Sequence, residues 1–350
     1  MLTLKVVKSR TLIREFVAML MSALLLFSCA KVSHVQEENE IALSPFGTSL
    51  TKADPTPLGP SKEFGVFSYY AGCQGGTPWN DPQAWANSTV YFSDAKFAYR
   101  DGFWGGSPTP YYWPLSGSLM FAGYCPHISV SGGTVTSVNL FPNIEESNPY
   151  LEVAFRQKTN PAEMVDLLWF SFKDVAAGNT IAKSSDPISV EFKHALSKIS
   201  FAFVDANRHY TLRDVTLEGV VNEGTFYSAN ISGWMPNLAK NTLADYSLPI
   251  TLDGTKPAGN VWNADDLLVI PQYLDGIFPT IGEVLDSGVD VVLAFTVEDG
   301  FGSQRIELLL KNYTERWEFG KSYQYTITVN SDAIDFGVPS IDVLSQVSIL

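Results

Sequence analysis

From Phe64 to Val329 the chain is a succession of short apolar runs broken by Gly, Pro, Asn and Asp, and that rhythm restricts it to strands joined by turns. FGVFSYY at 64–70, STVYFSDAKFAY at 88–99, SLMFAGY at 118–124, VDLLWFSF at 165–172 and ISVEFKHALSKISFAFV at 188–204 are rich in Phe, Tyr, Val and Ile. These side chains pack well on a pleated, half-buried surface. The plainest hairpin joins VVLAFTV at 291–297 to SQRIELLL at 303–310 through residues 298–302, where Asp299-Gly300 favours the positive φ of a tight turn. Helical periodicity is weak outside the N-terminal segment and residues 237–246. The expectation is an all-β chain built of sandwiches, and 350 residues leave room for two domains.

Within one strand the alternation predicts which face is buried. In residues 323–329, Tyr323, Tyr325, Ile327 and Val329 fall on one face, with Gln324, Thr326 and Thr328 on the other. Pro114 lacks a ladder donor and is expected before a strand, not inside one. His194 follows Val190 and Phe192 at period two and reads as a histidine at the edge of the core, satisfied by a hydrogen bond.

The first 29 residues read as an address. Lys5, Lys8, Arg10 and Arg14 precede a twelve-residue apolar run, Phe16 to Phe27, which is short for a bilayer span and ends in Leu26-Phe27-Ser28-Cys29. This ending resembles a bacterial lipobox, which implies cleavage and a lipid on Cys29. Removing residues 1–29 takes away four bases and one acid, so the formal charge of -14 becomes 19 against 36, or -17. Such acidity repels a phosphate backbone and excludes nucleic acid as a partner. Export also reaches an oxidising compartment, where Cys73 and Cys125 either pair or stand as two separately buried thiols. Residues 30–62, with Glu37, Glu38, Glu40, Pro45, Pro55, Pro57 and Pro60, read as a tether and N-terminal strand region.

Enzyme chemistry has little support. Four His and three Cys show no metal spacing, there is no GxSxG, P-loop or GxGxxG, and no cofactor is expected. Asp94 with Asp101, and Asp265 with Asp266, are acids that turns ordinarily leave solvated. The densest chemical feature is aromatic: eleven of the 35 residues from Trp79 to Trp113, against 13% of the whole chain. The plainer reading is a packed N-terminal core. The alternative exposes Trp79, Trp85 and Trp104 to stack on sugar rings, making a glycan-binding surface protein or tip adhesin.

The order FGVFSYY (64–70), YYWPLSGSLMFAGYCP (111–126), VDLLWF (165–170), VEFKHALSKISFAF (190–203), LLVIPQ (267–272) and WEFGKSYQYTITV (317–329) resembles the fimbrillin family of anaerobic Gram-negative bacteria. The resemblance implies two transthyretin-like β-sandwich domains in tandem; AAGNTIAKSSDP at 176–187, which interrupts two apolar strands, puts the boundary between residues 63–182 and 183–330. It implies lipoprotein export to the cell surface at the outer membrane, and assembly with copies of itself or other subunits into type V fimbriae by donor-strand exchange. It implies no catalysis. In the family, assembly follows proteolytic removal of the lipidated N-terminal segment, often beside an Arg. Ser49-Leu50-Thr51-Lys52-Ala53 is the matching stretch, with Lys52 where the Arg would stand, so either another protease cuts there, or the chain stays lipidated, or Lys52 is an ordinary exposed lysine.

The tail at 331–350 is the candidate donor strand. Ile341, Val343, Val347 and Ile349 occupy odd positions with Asp342, Gln346 and Ser348 between them, so one face can enter pockets while the main chain pairs. The rival reading has the tail complete its own C-terminal domain.

Overall fold

The computed structural model describes residues 39–47, 59, 61–72, 82–100, 102–141, 149–172, 183–205, 211–229, 233–238, 242–248, 261–263, 266–279, 284–299, 301–329, 334–336 and 339–343. Among these the regular secondary structure is nearly all strand, with one five-residue helix, α1 (Pro82–Ala86), and three short 3-10 turns. The all-β expectation is met.

Seven strands close a barrel in the order β1 (Ala42–Gly47), β4 (Phe103–Gly106), β3 (Ser88–Arg100), β2 (Phe64–Ala71), β5 (Ser118–Cys125), β8 (Leu168–Phe170) and β9 (Ile188–His194). Every neighbouring pair is antiparallel except β1 with β9, whose parallel ladder shuts the ring. Phe64, Val66, Phe97, Phe121, Phe170, Val190 and Phe192 fill its interior. SLMFAGYC in β5 is buried at every position, because Leu119 and Phe121 face that interior while Met120, Ala122 and Tyr124 join a second core. A strand buried on both faces reads as a continuous apolar run, as this one does.

The second core lies under a four-stranded sheet ordered β13 (Trp234–Pro236), β12 (Glu223–Tyr227), β7 (Tyr150–Arg156) and β6 (Val135–Phe141). Here β7 pairs with β12, Arg156 opposite Glu223, so strands from either side of residue 182 share one sheet.

A third core is enclosed by two more sheets. One runs β15 (Val261–Asn263), β10 (Ser197–Asp205), β21 (Lys321–Val329), β22 (Ile334–Phe336), with β16 (Leu267–Val269) also on β10 and β23 (Ser340–Val343) also on β21. The other runs β14 (Leu243–Ser247), β11 (Thr211–Val221), β19 (Val292–Asp299), β20 (Gly302–Leu309), and a small pair, β17 (Ile277–Pro279) with β18 (Val284–Asp286), completes the strands. Phe203 and Phe295, one from each large sheet, meet edge to face with centroids 6.0 Å apart. In β21 the predicted alternation is seen: Tyr323, Tyr325, Ile327 and Val329 are buried, and Gln324 and Thr326 are exposed. The hairpin β19–β20 forms where expected, with Asp299 opposite Gly302. Pro114 precedes β5, as its missing donor requires.

Candidate functional site

The segment read from sequence as tether and N-terminal strand region contains a strand of the core. Ile41, Ala42 and Leu43 are at most 2% exposed. Ala42 faces Gly105 and Leu43 faces Trp104 on β4, while Leu43 to Gly47 run alongside Ile188 to Phe192 of β9. Pro45 fits because β4 pairs only as far as Leu43, so a residue without an N–H does not interrupt that ladder. Upstream, Ile41 N donates to Tyr111 O at 2.8 Å and Trp113 N donates to Asn39 O at 2.7 Å. The strand is thus held between two walls, residues 111–113 with β4 on one side and β9 on the other.

Its two faces differ in chemistry. Ile41 and Leu43 enter the barrel core. On the opposite parity Glu40, 5% exposed, pairs through Oε1 with Arg100 Nη2. The Arg100 guanidinium also lies 5.6 Å from the centre of the Phe103 ring, and its Nε is buried without an acceptor. Gly105 makes room for the pair: a Cβ there would sit 2.8 Å from Glu40 Oε1 and 3.1 Å from Arg100 Nη2. A buried carboxylate needs such a partner, since an unpaired charge there costs several kcal/mol. Sequence reasoning missed Glu40, Arg100 and Gly105. The alternation Ile41, Leu43, Pro45 was the available signal, masked by surrounding Pro and Glu.

The tail pairs within its own chain over its described part. Lys321 faces Val343, Ser322 faces Asp342, Tyr323 faces Ile341 and Gln324 faces Ser340. Val347 and Ile349 lie outside the described residues, as do Cys29, Lys52, Cys73 and Trp79. Lys52 falls in sequence between β1 and β2, so a cut there severs β1 from the rest of the chain.

Three residues that the sequence left with two readings are buried. Trp85 is 2% exposed and meets Tyr69 and Phe172 edge to face, with centroids at 5.7 and 6.0 Å. Trp104 is 6% exposed and packs on Tyr99 at 4.6 Å. Both rings are taken up by the core, where the large apolar surface of an indole is removed from water. Cys125 is a free thiol, not half of a bridge: it points into the barrel core with Sγ 3.7 Å from Glu63 O, and burial pushes its pKa up to about 12.

Several other titratable groups pair with one another. His194 Nδ1 lies 2.7 Å from Asp166 Oδ2, the hydrogen bond expected of a buried histidine. Asp94 accepts from Tyr124 OH at 2.7 Å and lies 3.6 Å from His127 Nε2; burial first, then this carboxylate, raises the Tyr124 pKa. Asp266 pairs with Lys198 at 2.6 Å. Among the described residues no three His, Cys, Asp or Glu gather as metal ligands.

The family model described as Fimbrillin-like matches residues 51–343. A fimbrial protein from Bacteroides vulgatus has a similar fold, with a TM-score of 0.52 at 15% identity over 87% of this chain and 99% of that one. The tip fimbrial protein Mfa3 from Porphyromonas gingivalis, with C-terminal truncation, aligns at 11% identity and a TM-score of 0.36 over 87% of this chain and 99% of its own. No curated protein matches the sequence.

Proposed function

The chain belongs to the fimbrillin-like family, and from that premise we propose that it is a non-catalytic structural subunit of a cell-surface fimbria, exported as a lipoprotein through Cys29 and polymerised by donor-strand exchange. The observation that carries this reading is the place of β1. It closes the barrel through short ladders to two neighbours and is joined to β2 through the stretch that contains Lys52. Cleavage there followed by loss of β1 would uncover the unpaired N–H and C=O groups of β9 and β4 beside the pockets of Ile41 and Leu43. Such an edge captures another strand. The donor is the tail of a neighbouring copy, whose Ile341, Val343, Val347 and Ile349 carry the same alternation as β1.

The N-terminus of assembled filaments tests the reading. A start at Ala53, together with loss of filaments on deleting residues 340–350, is the expected result; filaments that begin at an acylated Cys29 reject removal of β1. Labelled lipid on the precursor should vanish in Cys29→Ala.

A further inference from the structure

The β1 groove has a charge on the side facing away from the barrel core that any replacement strand must meet. We propose that Arg100 selects the incoming strand by its carboxylate, and that in a second copy of this chain the carboxylate is that of Asp342. This rests on the donor-strand reading and adds to it the residue pair that sets register.

Among the described residues, Glu40 is the acid paired with Arg100. Glu40 leaves with β1, whereas Arg100 belongs to β3 and stays. Its guanidinium is then held against the Phe103 ring, with the notch over Gly105 open beside it. An apolar or basic side chain in that notch would leave the half-buried guanidinium without its counter-ion and its buried Nε still without an acceptor, which is unfavourable. A carboxylate restores the arrangement that β1 had.

The tail matches this at one register. With Ile341 in the place of Ile41 and Val343 in that of Leu43, Asp342 takes the place of Ala42, directly opposite Gly105. The carboxylate of Glu40 already lies over Gly105, within 2.8 Å of where a Cβ would be, so the shorter aspartate reaches the same spot from the nearer residue. Running in β1's direction, the strand then carries Ser345 to the place of Pro45, along β9. A slip of one residue would turn Asp342 into the apolar core and Ile341 and Val343 out of it. The charge and the two apolar residues therefore enforce one register together.

The test uses the full-length chain with a specific protease site in place of residues 49–53, cut to start assembly and followed by the rate at which ladders appear. Asp342→Lys should slow assembly at least tenfold and Asp342→Glu should leave it within about threefold. Reversing the whole set, Glu40→Arg with Arg100→Glu and Asp342→Arg, should restore the rate lost in Asp342→Lys. Should the triple variant not fold, the contrast between Lys and Glu at position 342 still decides. Deletion of residues 340–350 separates the two levels: ladders that survive it overturn the donor-strand reading itself. If the deletion abolishes ladders while Asp342→Lys assembles at the wild-type rate, charge selection by Arg100 is wrong and tail exchange stands.

Discussion

Tyr323 and Ile341 face each other across β21 and β23, yet Tyr323 is 1% exposed and Ile341 is 49% exposed. The tyrosine belongs to the C-terminal core and its hydroxyl accepts from Glu318 N at 2.9 Å. The isoleucine sits on a four-residue edge strand that covers little. Tyr323→Ala should cost about 3–5 kcal/mol, the usual price of a large core truncation, and Ile341→Ala less than about 1 kcal/mol. Urea denaturation of the two variants measures the difference; similar losses would mean that the tail is integral to its own domain and poorly suited to leave it.

The tryptophans offer a second test. Because Trp85 and Trp104 are core residues, Trp85→Ala and Trp104→Ala should each lower stability by about 3–5 kcal/mol. Chemical denaturation reads this directly. Variants as stable as the parent would return both rings to the surface and reopen a sugar-binding role.

Cys125 should be chemically silent in the folded protein. The thiolate is the reactive form, and burial keeps this thiol protonated at neutral pH. Iodoacetamide followed by peptide mass spectrometry should find Cys125 unmodified in buffer and fully alkylated in 6 M guanidinium. Modification in buffer would show that the barrel opens readily at β5.

Acid should weaken the turn before β21. Glu318 pairs with Lys321 and, at 3.2 Å, with Arg316 Nη2; the Lys321 hydrogen bond chiefly, against some desolvation, holds its carboxyl below the usual range. A folded-state pKa below the unfolded value of about 4.3 stabilises the fold above that pH, and the contribution is lost as pH falls through the folded pKa. Glu318→Gln should therefore be less stable than the parent at pH 7, with the gap closing below about pH 4. A gap unchanged between pH 7 and pH 3 would show that the ion pairs contribute nothing.

What could be read without coordinates was local. Alternation at 323–329 assigned the buried face of β21, the unbroken run at 118–124 marked a strand with two dry faces, and Asp299-Gly300 located a hairpin, because each depends only on a residue's neighbours in sequence. His194 was legible for the same reason. The family resemblance, spread over six ordered blocks, was legible as well, and the family match bears it out.

Tertiary structure decided what depends on distant partners. The burial of Trp85 and Trp104 follows from which strands cover them, and composition alone left both readings open. The role of β1 follows from a parallel ladder to β9, far downstream, and a proline-bearing stretch between acidic residues has no local mark of being the strand that closes a barrel. Glu40, Arg100 and Gly105 form a site only because β1, β3 and β4 lie side by side. A single side chain carries its polarity in the sequence, whereas its partner, and so the free energy of burying it, is set by the fold.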